Sequence, residues 1–82
     1  MTAPVVTVYT ATACPQCTAT KQHLGKLGIP FTEMAIDDQT RAAAMELDIT
    51  SAPIVCANVN GVELPPWGGF RPGKIQALRS AA

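Results

Sequence analysis

Charge is the first thing this chain is short of. Its 82 residues carry six Lys and Arg against six Asp and Glu, with a formal net charge of zero. So sparse and balanced a set excludes a disordered polyelectrolyte and leaves no basic patch for a phosphate backbone, so no nucleic-acid partner is expected. Long apolar runs are missing too. The opening "MTAPVVTVYT" has no basic leader and reaches a polar turn after a few residues, so neither a signal peptide nor a membrane span is expected, and the chain reads as cytoplasmic. Cysteine is scarce and odd in number, at three. In a reducing compartment three cysteines do not build a disulfide framework, and a close pair there is catalytic or metal-binding. Histidine occurs once, and there is no second C-x-x-C. A four-ligand zinc site would have to recruit His23 and Cys56, yet His23 stands six residues past Cys17, about 240° around a helix, and points away from it. No metal is therefore expected. No repeat, linker or low-complexity segment interrupts the chain, and its length suits one domain over residues 1–82, burying roughly 60% of its unfolded surface.

What is present changes period in an orderly way. Residues 5–9, "VVTVY", form a β-branched run that reads as a buried strand. Cys17, Thr20, Leu24 and Leu27 then recur at steps of three and four, a helical stripe, with Lys21, His23 and Lys26 on the other side. Pro15 suits the first turn of that helix, and Gly28 followed by Ile29 and Pro30 ends it. "FTEMAI", residues 31–36, alternates as a second strand, and Asp37 and Asp38 offer an N-cap for "QTRAAAMELD". "PIVCANV", residues 53–59, reads as a third strand, and Asn60-Gly61 turns it back into "VEL" as a hairpin. After the turn-rich "PPWGG", Arg71-Pro72 opens a last helix with Ile75 and Leu78 inward and a frayed "SAA" end. The expected fold is α/β, in the order βαβαββα, with a four-stranded mixed sheet flanked by three helices.

Cys14 and Cys17 fall where the first strand hands over to the first helix. A C-x-x-C at a βαβ unit is the pattern of thioredoxin-like redox proteins. A thiol at a helix N-terminus has its pKa lowered from about 8.5, because free amides and the helix dipole stabilise the anion. That makes Cys14 the nucleophile. Cys17, one turn further on the same face, can attack a mixed disulfide at Cys14 and resolve it. The competing readings are a zinc or iron–sulfur binding module and two unconnected thiols. Pro15 and Gln16, between the cysteines, are expected to tune the redox poise.

"VYTATACPQCTATK", "APIV" and "WGGFRP" together resemble the glutaredoxin-like NrdH-redoxins, thioredoxin-fold electron donors, over nearly the whole chain. The resemblance implies a dithiol-disulfide oxidoreductase with no bound cofactor beyond a redox-active Cys14–Cys17 disulfide. Class Ib ribonucleotide reductase is the implied electron acceptor and thioredoxin reductase, with NADPH upstream, the implied donor. It also implies a cis bond before Pro53, which roughly 5–6% of X-Pro bonds would show without it. Such a bond would present Ala52 for strand-like pairing with an extended substrate. The surface expected to meet partners comprises Pro15, Gln16, Ala52, Pro53, Trp67, Gly68, Gly69, Phe70 and Arg71.

Two absences separate this chain from ordinary glutaredoxins and from the alternative of glutathione-dependent reduction. Where those proteins carry a lysine before the first cysteine this chain has Ala11, and where they carry an acidic pair after Gly-Gly it has Phe70-Arg71. The usual Trp-Ser-Gly-Phe-Arg-Pro-Asp of the NrdH-like pattern has become Trp67-Gly68-Gly69-Phe70-Arg71-Pro72-Gly73, without a hydroxyl and an acid. Trp67 and Phe70 stand between core packing and partner contact. Cys56 reads as a small buried hydrophobe, His23 as a solvated surface residue, and Met34 and Met45 as core. A small, near-neutral carrier that visits two partners is most simply a monomer.

Overall fold

The computed structural model describes residues 4–81, so the first three residues and Ala82 of the expected frayed end lie outside the described residues. Strand β1 (Val5–Thr10) pairs in parallel with β2 (Thr32–Ala35), and helix α1 (Pro15–Lys26) makes the crossover between them. Helix α2 (Asp38–Glu46) leads to β3 (Ile54–Val59), which lies antiparallel on the other side of β1. Asn60 and Gly61 both take positive φ, 54° and 82°, the geometry of a tight hairpin turn, and send the chain into β4 (Val62–Glu63). A further strand, β5 (Trp67–Gly68), precedes helix α3 (Pro72–Ala81). The fold is thioredoxin-like, with sheet order β2-β1-β3-β4 and β5 also on β3.

The fifth strand was not expected from the sequence, which reads "PPWGG" as turn. Glu63 stands opposite Asn58 and the N–H of Leu64 donates to the carbonyl of Ala57, but Trp67 stands opposite Val55. Pro65 and Pro66 therefore face the single residue Cys56, a bulge that splits one edge strand into β4 and β5. Proline has no N–H to give a ladder and is tolerated at an edge and in a bulge.

Alternation in β1 and β3 places the core. Val6 and Val8 lie beside Ala57 and Val55, and these pack with Val59, Leu24 of α1 and Ile75 and Leu78 of α3. The predicted stripe of α1 is the buried one: Cys17, Thr20 and Leu24 are inside, and Leu27 packs partly against the core. Thr20 is fully buried and its hydroxyl donates to the carbonyl of Gln16 at 2.8 Å, so no polar group is stranded there.

The opposite face is thin. Helix α2 buries only Ala44, and a groove of about 290 Å³ remains between it and the sheet, lined among others by Tyr9, Leu47, Ile54 and Cys56. This corrects the reading of the methionines: Met34 is 51% and Met45 64% exposed. Met34 pairs beside Tyr9 on the α2 side of an edge strand, and an alanine-rich helix does not reach out to cover it. All four residues of β2, a strand at the edge of the sheet, are exposed, although their sequence alternates.

Candidate active site

Strand β1 ends in a turn at whose last residue, Ala13, φ is 52°. This left-handed backbone costs an alanine roughly 1–2 kcal/mol, and it swings the chain so that Cys14 becomes the N-cap of α1. Cys14 and Cys17 form a disulfide with their Cα atoms 5.2 Å apart. The two sulfurs are not equivalent. Cys14 is partly exposed, whereas Cys17 is 2% exposed beneath the first helical turn. The N–H of Cys17 donates to Sγ of Cys14 at 3.1 Å. No acid stands in the first turn, so once the bond opens this amide and the helix dipole both favour an anionic sulfur at Cys14. Pro15 takes the first helical position, where its missing N–H removes no intrahelical bond.

The proline loop forms the second wall. The Ala52–Pro53 peptide is cis, Pro53 is buried, and Ala52 is half-exposed. Among the described residues no backbone hydrogen bond engages Ala52, while the carbonyl of Pro53 accepts the N–H of Gly69 at 2.9 Å.

The third wall is the segment after the bulge. Gly68 approaches the proline loop so closely that a Cβ there would stand 2.5 Å from Cγ2 of Ile49 and 2.6 Å from the carbonyl oxygen of Ser51. A serine here, as in the NrdH-like pattern, would require Ile49 or the Ser51 backbone to shift. Gly69 has φ of 81° and is buried, and the N–H of Phe70 donates to Oε1 of Gln16 at 2.9 Å.

The structure divides the remaining expected partner residues. Pro15, Gln16, Arg71 and the 36%-exposed Phe70 are at the surface. Trp67 is 6% exposed and belongs to the core, with the ammonium of Lys74 5.8 Å from its ring centroid, so its side chain supports the loop from beneath. His23 is not the solvated residue expected: its ring meets the edge of Phe70 at 6.0 Å and its Nε2 is buried without a hydrogen-bond partner among the described residues. Nothing in the local pattern of α1 announces that contact, since Phe70 is supplied by a loop 47 positions away.

Cys56 is half-buried, and desolvation, followed by the nearby charge of Glu63, raises its thiol pKa. On α1, the ammonium of Lys21 is already bound by Glu33 at 3.0 Å. Hydrogen bonds from Lys21 and from the hydroxyl of Thr10 hold the Glu33 carboxyl below the usual carboxylate range. Among the described residues no group of three or more His, Cys, Asp or Glu is placed to hold a metal ion, and no helix is long and apolar enough to cross a membrane.

The glutaredoxin family model matches residues 6–62, from the first strand to the hairpin. The chain belongs to the glutaredoxin family. Within it, this glutaredoxin is similar to the glutaredoxin-like protein NrdH of Escherichia coli strain K12, at 35% identity over 93% of this chain and 90% of that one. The solved structure of NrdH-redoxin from Escherichia coli, a protein described as having a thioredoxin-like activity profile, superposes with a TM-score of 0.70 at 32% identity, covering 90% of this chain and 93% of that one. Oxidised mitochondrial thioredoxin 3 from Saccharomyces cerevisiae shares the fold, with a TM-score of 0.66 at 21% identity over 96% of this chain and 78% of that one. The glutaredoxin described here is thus an NrdH-like thiol-disulfide redox protein whose redox pair is Cys14 and Cys17.

Proposed function

We propose that this glutaredoxin reduces a protein disulfide with Cys14 as nucleophile and Cys17 as resolver. The observation that carries this is the asymmetry of the pair: a partly exposed Cys14 at the helix start, receiving the Cys17 amide, above a buried Cys17. In the reduced protein the Cys14 thiolate attacks one sulfur of the target disulfide. A new S–S bond forms, the target bond breaks, and the first target thiolate leaves and takes a proton from water. Cys17 then loses its proton and attacks Sγ of Cys14. The mixed disulfide breaks, the second target thiolate leaves and is protonated, and the Cys14–Cys17 dithiol, having passed two electrons to the target, is now the disulfide. The free backbone at Ala52, beside the cis Pro53, is suited to pair with an extended stretch of the target around its cysteine.

The electron source we propose is thioredoxin reductase with NADPH upstream, and the target a disulfide of class Ib ribonucleotide reductase, in the cytoplasm, with the carrier acting as a monomer. Against glutathione stand Ala11, the capture of Lys21 by Glu33, and the lack of an acid in the Gly-Gly-Phe-Arg segment to receive an amine. The test offers the oxidised protein either NADPH with thioredoxin reductase or NADPH with glutathione and glutathione reductase, and follows NADPH absorbance. Faster turnover in the first arm is expected, and faster turnover through glutathione would overturn the proposed donor.

A further inference from the structure

Between the two cysteines lies a side chain whose bonding reaches away from the sulfurs. The hydrogen bond that Cys14 Sγ accepts comes from the Cys17 amide, while Oε1 of Gln16 accepts the N–H of Phe70 across 54 positions of sequence. The preceding amide in the same loop, that of Gly69, donates to the carbonyl of Pro53 at 2.9 Å. Two consecutive N–H groups are thus held, one by the proline loop and one by the dithiol turn. Gly69 permits the grip. Its φ of 81° suits a residue without Cβ, and a Cβ would come within 2.9 Å of that same Oε1 of Gln16. What the grip fixes is Phe70, whose ring lies edge-on to His23 at an interplanar angle of 86° while remaining 36% exposed.

We propose that Gln16 is a positioning residue for protein substrates: by holding the Phe70 amide it sets the rim of Gly69 and Phe70 against which a folded partner closes on Cys14. The proposal rests on the reading of Cys14 as the attacking thiol. A small disulfide reaches that thiol without covering the rim, whereas a protein partner buries hundreds of Å² around its contact point and must fit it. Gln16 therefore acts on the discrimination between protein and small disulfides, through Phe70.

The test compares wild type, Gln16→Met, which keeps the reach of the side chain but has no acceptor oxygen, and Gln16→Glu, which restores one. Reduction of insulin and of 2-hydroxyethyl disulfide is measured for each, with the Phe70 amide resonance followed by ¹⁵N NMR. In Gln16→Met the ratio of kcat/KM for insulin to that for 2-hydroxyethyl disulfide is expected to fall about fivefold, the equivalent of one net hydrogen bond, mainly through KM. The Phe70 amide proton moves upfield in the same variant, and Gln16→Glu returns both quantities toward wild type. An unchanged ratio in Gln16→Met, or equal losses on both disulfides, would overturn the positioning role. A wild-type protein inactive on both disulfides would instead overturn the attack by Cys14.

Discussion

At the scale of single residues, the fate of a cysteine here depends on where its neighbours put it. Cys14 caps a helix, Cys17 lies under it, and Cys56 sits on a strand facing a proline bulge. Three chemistries follow from one residue type. Cys14→Ser is expected to abolish disulfide reduction, while Cys17→Ser leaves attack intact and accumulates a mixed disulfide with the target, visible as a mass increase that dithiothreitol removes. Cys56 needs more alkaline solution to react. Burial and Glu63 raise its pKa, so at pH 8 its thiolate fraction is below that of an ordinary thiol of pKa about 8.5. Iodoacetamide labelling of Cys56 in the oxidised protein should be slower than labelling of free cysteine and should rise through a midpoint above about pH 8.5. The sequence made the first pair legible because a helix start is a local pattern. It hid the roles of Gln16 and His23, because both are decided by Phe70, a residue the chain returns to that spot only through the hairpin and bulge.

Elements are set by their ends, and here the ends are readable where a side chain does the capping. Asp37 caps α2 by accepting the Thr40 N–H at 2.7 Å, and that bond holds its carboxyl below the usual range. A depressed native pKa means that the contribution is complete above the unfolded pKa of about 3.9 and is lost as pH falls through the lower native value. Asp37→Ala should accordingly lower Tm at neutral pH, with the gap from wild type closing in strong acid. Strand β5 was not readable in this way. Its cause is backbone pairing after an extra residue, for which prolines and glycines give no hydrophobic period. The tightness of that pairing has its own test: Gly68→Ala drives a Cβ against Ile49 and the Ser51 carbonyl, and is expected to cost about 1–3 kcal/mol in urea unfolding.

On the scale of the whole molecule, the sheet carries its weight on one side. Leu24 is fully buried between α1, α3 and the strands, so Leu24→Ala should lose about 2–5 kcal/mol, while Met34→Ala, on the uncovered side, should stay within about 0.5 kcal/mol of wild type. Equal losses by denaturant titration would contradict this placement of the core. The order of elements was legible from period and turn chemistry, but the lopsidedness was not, because the strand patterns do not say which face a short alanine-rich helix fails to cover. The Pro65-Pro66 bulge has a consequence beyond topology. An open sheet edge can pair indiscriminately, strand edge to strand edge, and so make a protein clump with its own copies. Here one rim of the sheet is broken by two residues that have no N–H to lend, and the other is a four-residue strand bearing the charged Glu33. The backbone of Ala52 stays open, so under the proposed function an extended target has one free stretch of main chain to pair with rather than a whole sheet edge.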